Sequence, residues 1–304
     1  MIFLNNLLLK ILTFIILIII QTSLASADEE YFLIKSTDKT SPPVIGETLK
    51  LVYAGNKSLS QVARKYGIGH IEIREANPDF KNNSPLSGRE ILIPTAWIVP
   101  QMINKGILIN LAELRLYFFE TDDESRTKIR TFPIGIGRSG YETPTGDFSI
   151  TTKLENPTWF PPKTSRKRHP YLQQSIPPGA NNPLGSYWIQ LDLEGYGIHG
   201  TNKADSIGKR VSLGCIRLLE ENIEWLYYKA YRGMPIKIVN MPVKFGYMDN
   251  KLYMEVHKNG LSNEEIQKEA QHMARRMNLQ LDQWIVDAIV NEALGIPVLL
   301  QENN

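Results

Sequence analysis

Two short stretches, Ile198-His199-Gly200-Thr201-Asn202 and Val211-Ser212-Leu213-Gly214-Cys215-Ile216-Arg217-Leu218, hold the one cysteine in 304 residues and one of five histidines. Cys215 follows His199 by sixteen positions. A thiol is mostly protonated near neutral pH, with a reference pKa of about 8.5. An imidazole within hydrogen-bond reach turns it into a nucleophile through a thiolate–imidazolium pair. Such a pair also needs an accessible turn, amide donors for a developing oxyanion, and a group that holds the ring. Gly214 permits a tight or positive-φ turn. The amides of Gly214 and Cys215 are candidate oxyanion donors, one such donor being worth roughly 2.7–4 kcal/mol. Gly200 leaves the backbone beside the ring open, so a carbonyl there can accept the ring N–H without an Asp or Glu completing a triad. Arg217 shares the face of the thiol if strand continues, and can fork onto a substrate carboxylate. The competing reading is a structural histidine with a buried thiol.

Chain order narrows the chemistry. Wall peptidases that place cysteine well before histidine fit poorly, and sortases set their histidine much further upstream. His70, His169, His257 and His272 are scattered, without paired acidic or cysteine ligands, so no metal is expected. Net charge is +2 with both signs mixed, which gives no nucleic-acid footprint.

The elements that position these residues are short and mostly extended. Gly106 to Asn110 and Glu113 to Phe119 read as two strands with a short turn between them, and Lys128 to Ile136 as a third. Thr143-Pro144-Thr145-Gly146, Pro161-Pro162, Pro177-Pro178-Gly179 and Asn182-Pro183-Leu184-Gly185 punctuate the chain. Dense turns between short strands predict a β-sandwich or barrel. Ile198 and Val211 are strand-type, which places His199 and Ser212 on or beside paired strands joined by a polar loop over residues 200–210. Glu220 to Tyr231 reads as one helix, and Pro235 to Val239 as the last strand of the body.

In front lies a smaller unit over residues 48–95. Leu49, Leu51 and Tyr53 alternate as in a strand. Ser58 caps a helix through Tyr66, a second helix fits Ile71 to Ala76, and Gly88 to Pro94 reads as a closing strand. Strand, helix, helix, strand with "SLSQVARKYGIG", "EANP" and "ILIP" resembles a lysin motif (LysM), which binds N-acetylglucosamine glycans. A packing module that binds nothing is the other reading. Residues 241–304 are expected to form a helical tail. Ser262 and Glu265 make a capping box there, followed by Ile266, Ala270, Met273 and Met277 at helical spacing, and a further helix fits Leu281 to Leu294. Residues 28–47 read as a polar leader. Residues 1–27 end an apolar run with Ala25-Ser26-Ala27, the order of a cleaved secretory signal, with an uncleaved anchor as the competing reading. The basic run Lys163, Arg166, Lys167, Arg168, His169 reads as a solvated loop.

The stretches "GILINLAELRLYFF", "FPIGIG", "TPTGDFSI", "IPPGANNPLG", "IHGTN" and "VSLGCIRL" together resemble the L,D-transpeptidases of bacterial peptidoglycan, in their Gram-negative periplasmic branch. The resemblance covers roughly residues 48–240. It implies a mainly β chain: a β-sandwich catalytic domain over residues 96–240, the βααβ LysM-like module in front, and the helical extension behind. It implies Cys215 as nucleophile, His199 as base, Gly200 as the carbonyl that orients the base, and Gly214 beside the oxyanion. Ser212, Arg217 and Thr201 would contact substrate. Leu213 stands where many members have histidine, so His199 alone would serve as base. No cofactor is implied. The partners would be stem peptides and glycan strands, with an outer-membrane lipoprotein as a second acceptor, in the periplasm. A wall-binding protein with a dead site, or a hydrolase using the same acyl-enzyme, are the alternatives.

Overall fold

The structure, a computed structural model, describes residues 31–34, 42–80, 87–162, 166, 171 and 173–302. The signal-like segment, part of the leader, and the basic run apart from Arg166 lie outside the described residues.

From Phe32 onward three apolar clusters organise the chain. Part of the stretch read as a leader is built into them. Strand β1 (Phe32–Ile34) pairs antiparallel with residues 127–129. Strands β2 (Val44–Val52) and β3 (Glu90–Ile98) pair antiparallel along their whole length. Between them lie α1 (Leu59–Lys65) and α2 (His70–Glu75). Ser58 starts α1 through a capping box with Gln61, and Val62 and Ala63 turn inward. Asn77 ties the end of α2 to β3, donating to the Ile73 and Leu92 carbonyls and accepting the Leu92 N–H. The strand–helix–helix–strand order read from the sequence is the order found.

The body follows as β4 (Gly106–Asn110), β5 (Arg115–Thr121), β6 (Thr127–Pro133), β7 (Ile136–Gly137), β8 (Gly146–Glu155), β9 (Tyr187–Leu191), β10 (Gly197–His199), β11 (Arg210–Ser212), β12 (Ile216–Arg217), α3 (Glu220–Lys229) and β13 (Pro235–Val239). A nine-stranded sheet runs β1-β6-β5-β4-β13-β8-β9-β10-β12. Its pairs are antiparallel except β4–β13 and β10–β12. Side chains alternate across β4 with the two-residue period of a strand. Ile107 and Ile109 enter one core with Phe118, Phe132, Ile189, Ile198 and Ile216. Leu108 enters another with Tyr117, Phe119 and Ile129, packed on Ile73, Ile93 and Trp97 of the front unit. Fully burying one such side chain stabilises by roughly 1.5–3 kcal/mol. The β8–β9 register slips between Ile150 and Thr152, and strands on both sides of β8 contribute side chains to the first core.

Two expectations are corrected. Lys128 to Ile136 is not one strand: β6 stops at Pro133, and Ile136–Gly137 leaves to pair with β11. His199 and Ser212 are not on paired strands: β10 lies between β9 and β12, while β11 pairs with β7 in a separate two-stranded sheet.

The tail holds both expected helices, α4 (Asn263–Arg276) and α5 (Gln283–Glu292), with the Ser262–Glu265 capping box in place. It also holds three antiparallel strands, β14 (Val243–Met248), β15 (Lys251–Val256) and β16 (Val298–Glu302). Lys244 and Glu255 hide them in the sequence, because these charges face inward. Lys244 Nζ lies 2.8 Å from both Glu113 Oε2 and Glu255 Oε1. Glu255 Oε2 accepts the Ile98 N–H at 2.6 Å. His257 pairs with Glu255 at 2.8 Å and with Glu75 of α2 at 3.0 Å. One sealed polar junction therefore binds front unit, body and tail. Among the described residues no helix is long and apolar enough to cross a membrane.

Candidate active site

His199 ends β10 and Cys215 sits just before β12, two adjacent parallel strands. In their register Ile198 faces Ile216 and His199 faces Arg217. Alternation then puts residues 197 and 199 on the same side of the sheet as 215 and 217. Thiol, imidazole and guanidinium converge there, and the residue opposite the cysteine, Gly197, has no side chain to separate them.

The imidazole is buried and held on two sides. Its Nδ1 meets the Gly200 carbonyl at 2.6 Å. Trp188 stacks on its face, with ring centroids 5.6 Å apart and planes 24° apart. Trp188 is itself tied to Gln190, whose amide donates to the Leu191, Leu193 and Tyr196 carbonyls. Burial pulls the ring down to about 4, and Arg217 adds to this, against the carbonyls of Gly200 and Leu184. The half-buried thiol donates to the Gly195 carbonyl at 3.4 Å. Burial pushes it up, against the Gly197 backbone amide and Arg217. No hydrogen bond joins sulfur to imidazole, so at neutral pH the pair rests as thiol and free base. Catalytic hydrogen bonds often close only when substrate is present.

The turn that presents Cys215 is fixed from both ends. Gly214 has φ +112°, and a Cβ there would fall 2.7 Å from the Tyr196 ring, so only glycine fits. Ser212 Oγ donates to the Cys215 carbonyl at 2.6 Å and accepts the Gly214 N–H at 3.1 Å. Thr143 Oγ1 donates to the Gly214 carbonyl at 2.8 Å and accepts the Gly137 N–H at 3.0 Å. A trans peptide points its C=O and N–H opposite ways. Thr143 therefore sets the direction of the Cys215 N–H.

Three expectations about this turn change. The Gly214 amide is spent on Ser212, leaving the Cys215 amide as the oxyanion candidate. Ser212 is 2% exposed, and its hydroxyl builds the turn rather than facing substrate. Thr201 is buried too, its hydroxyl accepting the Lys203 N–H at 3.1 Å and its own N–H bound to Glu220 Oε1 at 2.6 Å. The Gly200 carbonyl lies against His199 Nδ1. Arg217 lies opposite His199, and its Nε is buried with no hydrogen-bond partner among the described residues. Thr143 and Trp188 were missed; the only signal for Thr143 was its place in "TPTG".

One cluster of metal-ligating types also went unread. Ligand atoms of Glu113, Glu255 and His257 lie within 4.8 Å of one another. The Lys244 ammonium already sits between the two carboxylates, so the charge a cation would bring is supplied by the chain.

The arrangement is a cysteine just before β12 and a backbone-oriented histidine at the end of the neighbouring β10, in a mainly β body. Residues 104–238 match the YkuD family, the L,D-transpeptidase catalytic domain. The chain is 34% identical over 259 residues to the probable L,D-transpeptidase YcfS of Escherichia coli, covering 79% of each. It is 33% identical over 275 residues to the probable L,D-transpeptidase YbiS of Escherichia coli, covering 84% of this chain and 87% of that one. It is 40% identical over 206 residues to the probable L,D-transpeptidase ErfK/SrfK of Escherichia coli, covering 66% of this chain and 65% of that one. The chain belongs to the L,D-transpeptidase family.

Proposed function

We propose that the chain is a cysteine-dependent L,D-transpeptidase acting on peptidoglycan stems in the periplasm. Cys215 is the nucleophile and His199 the base. The sulfur attacks the carbonyl at the L-centre of meso-diaminopimelate in a tetrapeptide, and the thiol proton passes to His199. The tetrahedral oxyanion is met by the Cys215 N–H. The C–N bond to the terminal D-alanine then breaks, and His199 returns the proton to the leaving amine. An acceptor amine next attacks the thioester, giving its proton to His199 as the C–S bond breaks, and the thiolate is reprotonated. A diaminopimelate amine gives a 3–3 cross-link, and a lipoprotein lysine gives a wall-anchored lipoprotein. Arg217, with its unmatched buried Nε, suits the substrate carboxylate.

The parallel β10–β12 register carries this reading, since it brings thiol, imidazole and guanidinium to one side. Residues 1–27 serve as the export signal, 48–95 as the glycan-holding module, 96–240 as the catalytic domain and 241–304 as an extension. The test is mass spectrometry of muropeptides after incubation of tetrapeptide substrate with the protein. Loss of D-alanine and formation of dimers is expected, with neither from Cys215→Ala. Equal products from both proteins would overturn the assignment. Sedimentation of the Cys215→Ala protein with sacculi reads wall affinity apart from turnover.

A further inference from the structure

Glu220 opens α3, and its carboxylate lies where two glycines from separate segments make room for it. A Cβ on Gly200 would fall 2.1 Å from Oε1, and one on Gly185 would fall 1.9 Å from it. The carboxylate accepts two backbone donors: Thr201 N–H on Oε1 at 2.6 Å and Ser186 N–H on Oε2 at 3.0 Å. The first of these matters for the ring. The peptide between Gly200 and Thr201 is planar and trans, so its two polar ends point in opposite directions. The N–H end is held by Glu220, and the C=O end meets His199 Nδ1 at 2.6 Å. One peptide unit separates carboxylate from imidazole.

We infer that Glu220 is the positioning residue for His199, doing through the Gly200–Thr201 peptide what an aspartate does by direct contact in a Ser-His-Asp site. The inference rests on the reading of Cys215 and His199 as nucleophile and base. Holding the Thr201 N–H fixes the Gly200 carbonyl on Nδ1, which keeps the proton on that nitrogen and leaves the Nε2 lone pair for the thiol. A charged acceptor at the far end also polarises the peptide, so the carbonyl becomes a better partner for the imidazolium formed when the thiol proton arrives. The Ser186 bond ties in the second segment, which carries Leu184, another carbonyl that favours the protonated ring. The ionisable groups around this chain of contacts are Cys215 and Arg217 across the site, with Arg217 opposing protonation of the ring. On α3 Glu224 turns instead to the Tyr187 hydroxyl at 3.4 Å.

A purely structural Glu220 would contribute to folding and leave thiol reactivity alone. Iodoacetamide alkylation of Cys215 against pH separates the two, because it reads the His–Cys couple with no wall substrate present. Glu220→Gln keeps one acceptor and loses the charge and the second acceptor. It is expected to slow alkylation at pH 7 by tenfold or more and to move the thiol titration upward, with Tm close to the parent. Glu220→Asp, charged but shorter, is expected in between. A folded Glu220→Gln protein with the parent rate and pH profile would overturn the inference. Nitrogen NMR of the His199 ring in the unaltered protein is the second arm: the Nδ1-protonated tautomer is expected, and the Nε2-protonated tautomer overturns the inference even if no variant folds. A protein without transpeptidase products but with Glu220-dependent alkylation rejects the proposed function and keeps the positioning role.

Discussion

Glu72 and Arg115 form an ion pair of 2.7 Å with both side chains sealed from water, one on the front unit and one on the body. Glu72 Oε1 also accepts the Trp97 Nε1–H at 3.1 Å, and Oε2 accepts the Gly69 N–H at 2.6 Å. Arg115 donates to the Gly67 carbonyl and lies over the Trp97 ring, 4.0 Å from its centroid. Glu72→Ala leaves a buried guanidinium without its counter-ion. Breaking a buried pair this way costs about 3–5 kcal/mol. Denaturant unfolding is expected to show that loss in a single transition shared by front unit and body. Two separated transitions, or no loss, would contradict it.

The resting site should be a base at unusually low pH. Burial holds His199 at about 4. Its free-base form then persists well below 6.5, so acylation of Cys215 by a carbapenem should stay level from pH 8 to about 5 and halve near 4. A midpoint near 6.5 would mean a solvated ring. The same shift has a stability sign. A histidine depressed in the folded state penalises folding as pH falls from 6.5 toward 4, and it is neutral in both states above that window.

Thr143→Val keeps the shape at the Gly214 carbonyl and removes the hydroxyl. The Cys215 N–H then loses its fixed aim. Acylation is expected to slow on the order of tenfold to hundredfold, with KM little changed, and Thr143→Ser should restore most of it. Equal rates for the valine and threonine proteins would free Thr143 of any such part.

His257 should make the tail junction sensitive to alkali. Burial alone would pull it down, but hydrogen bonds to Glu255 and Glu75 overcome burial and lift it to about 10. A raised histidine stabilises fully below about 6.5, and that contribution is lost as pH rises through 10. Tm should therefore drop more between pH 7 and 10 in the parent than in His257→Gln. Parallel Tm curves would show that the ring is neutral throughout.

The candidate pair was legible as neighbours because its residue types are rare here and its glycines have local work to do: Cys215 is the one thiol, and Gly214 sits at a positive φ. Helices α1 and α4 were legible from Ser58 and Ser262, since a capping box is written within four residues. The strand partners were not. Whether β10 lies beside β11 or β12 depends on long-range register, and Val211 looks like a core residue while being 40% exposed. Thr143 lies more than seventy positions before the peptide it aims, and nothing in its spacing announces that. Lys244 and Glu255 read as surface charges because their partners, Glu113 and Ile98, come from other parts of the chain.

The Lys244 junction has a further consequence at the wall. It ties the front unit to body and tail, so under the proposed function a glycan strand held there and a stem peptide at Cys215 would keep one fixed spacing, like the jaws of a set caliper. The enzyme would then choose stems by their distance and rotation along the strand, not by searching on a tether.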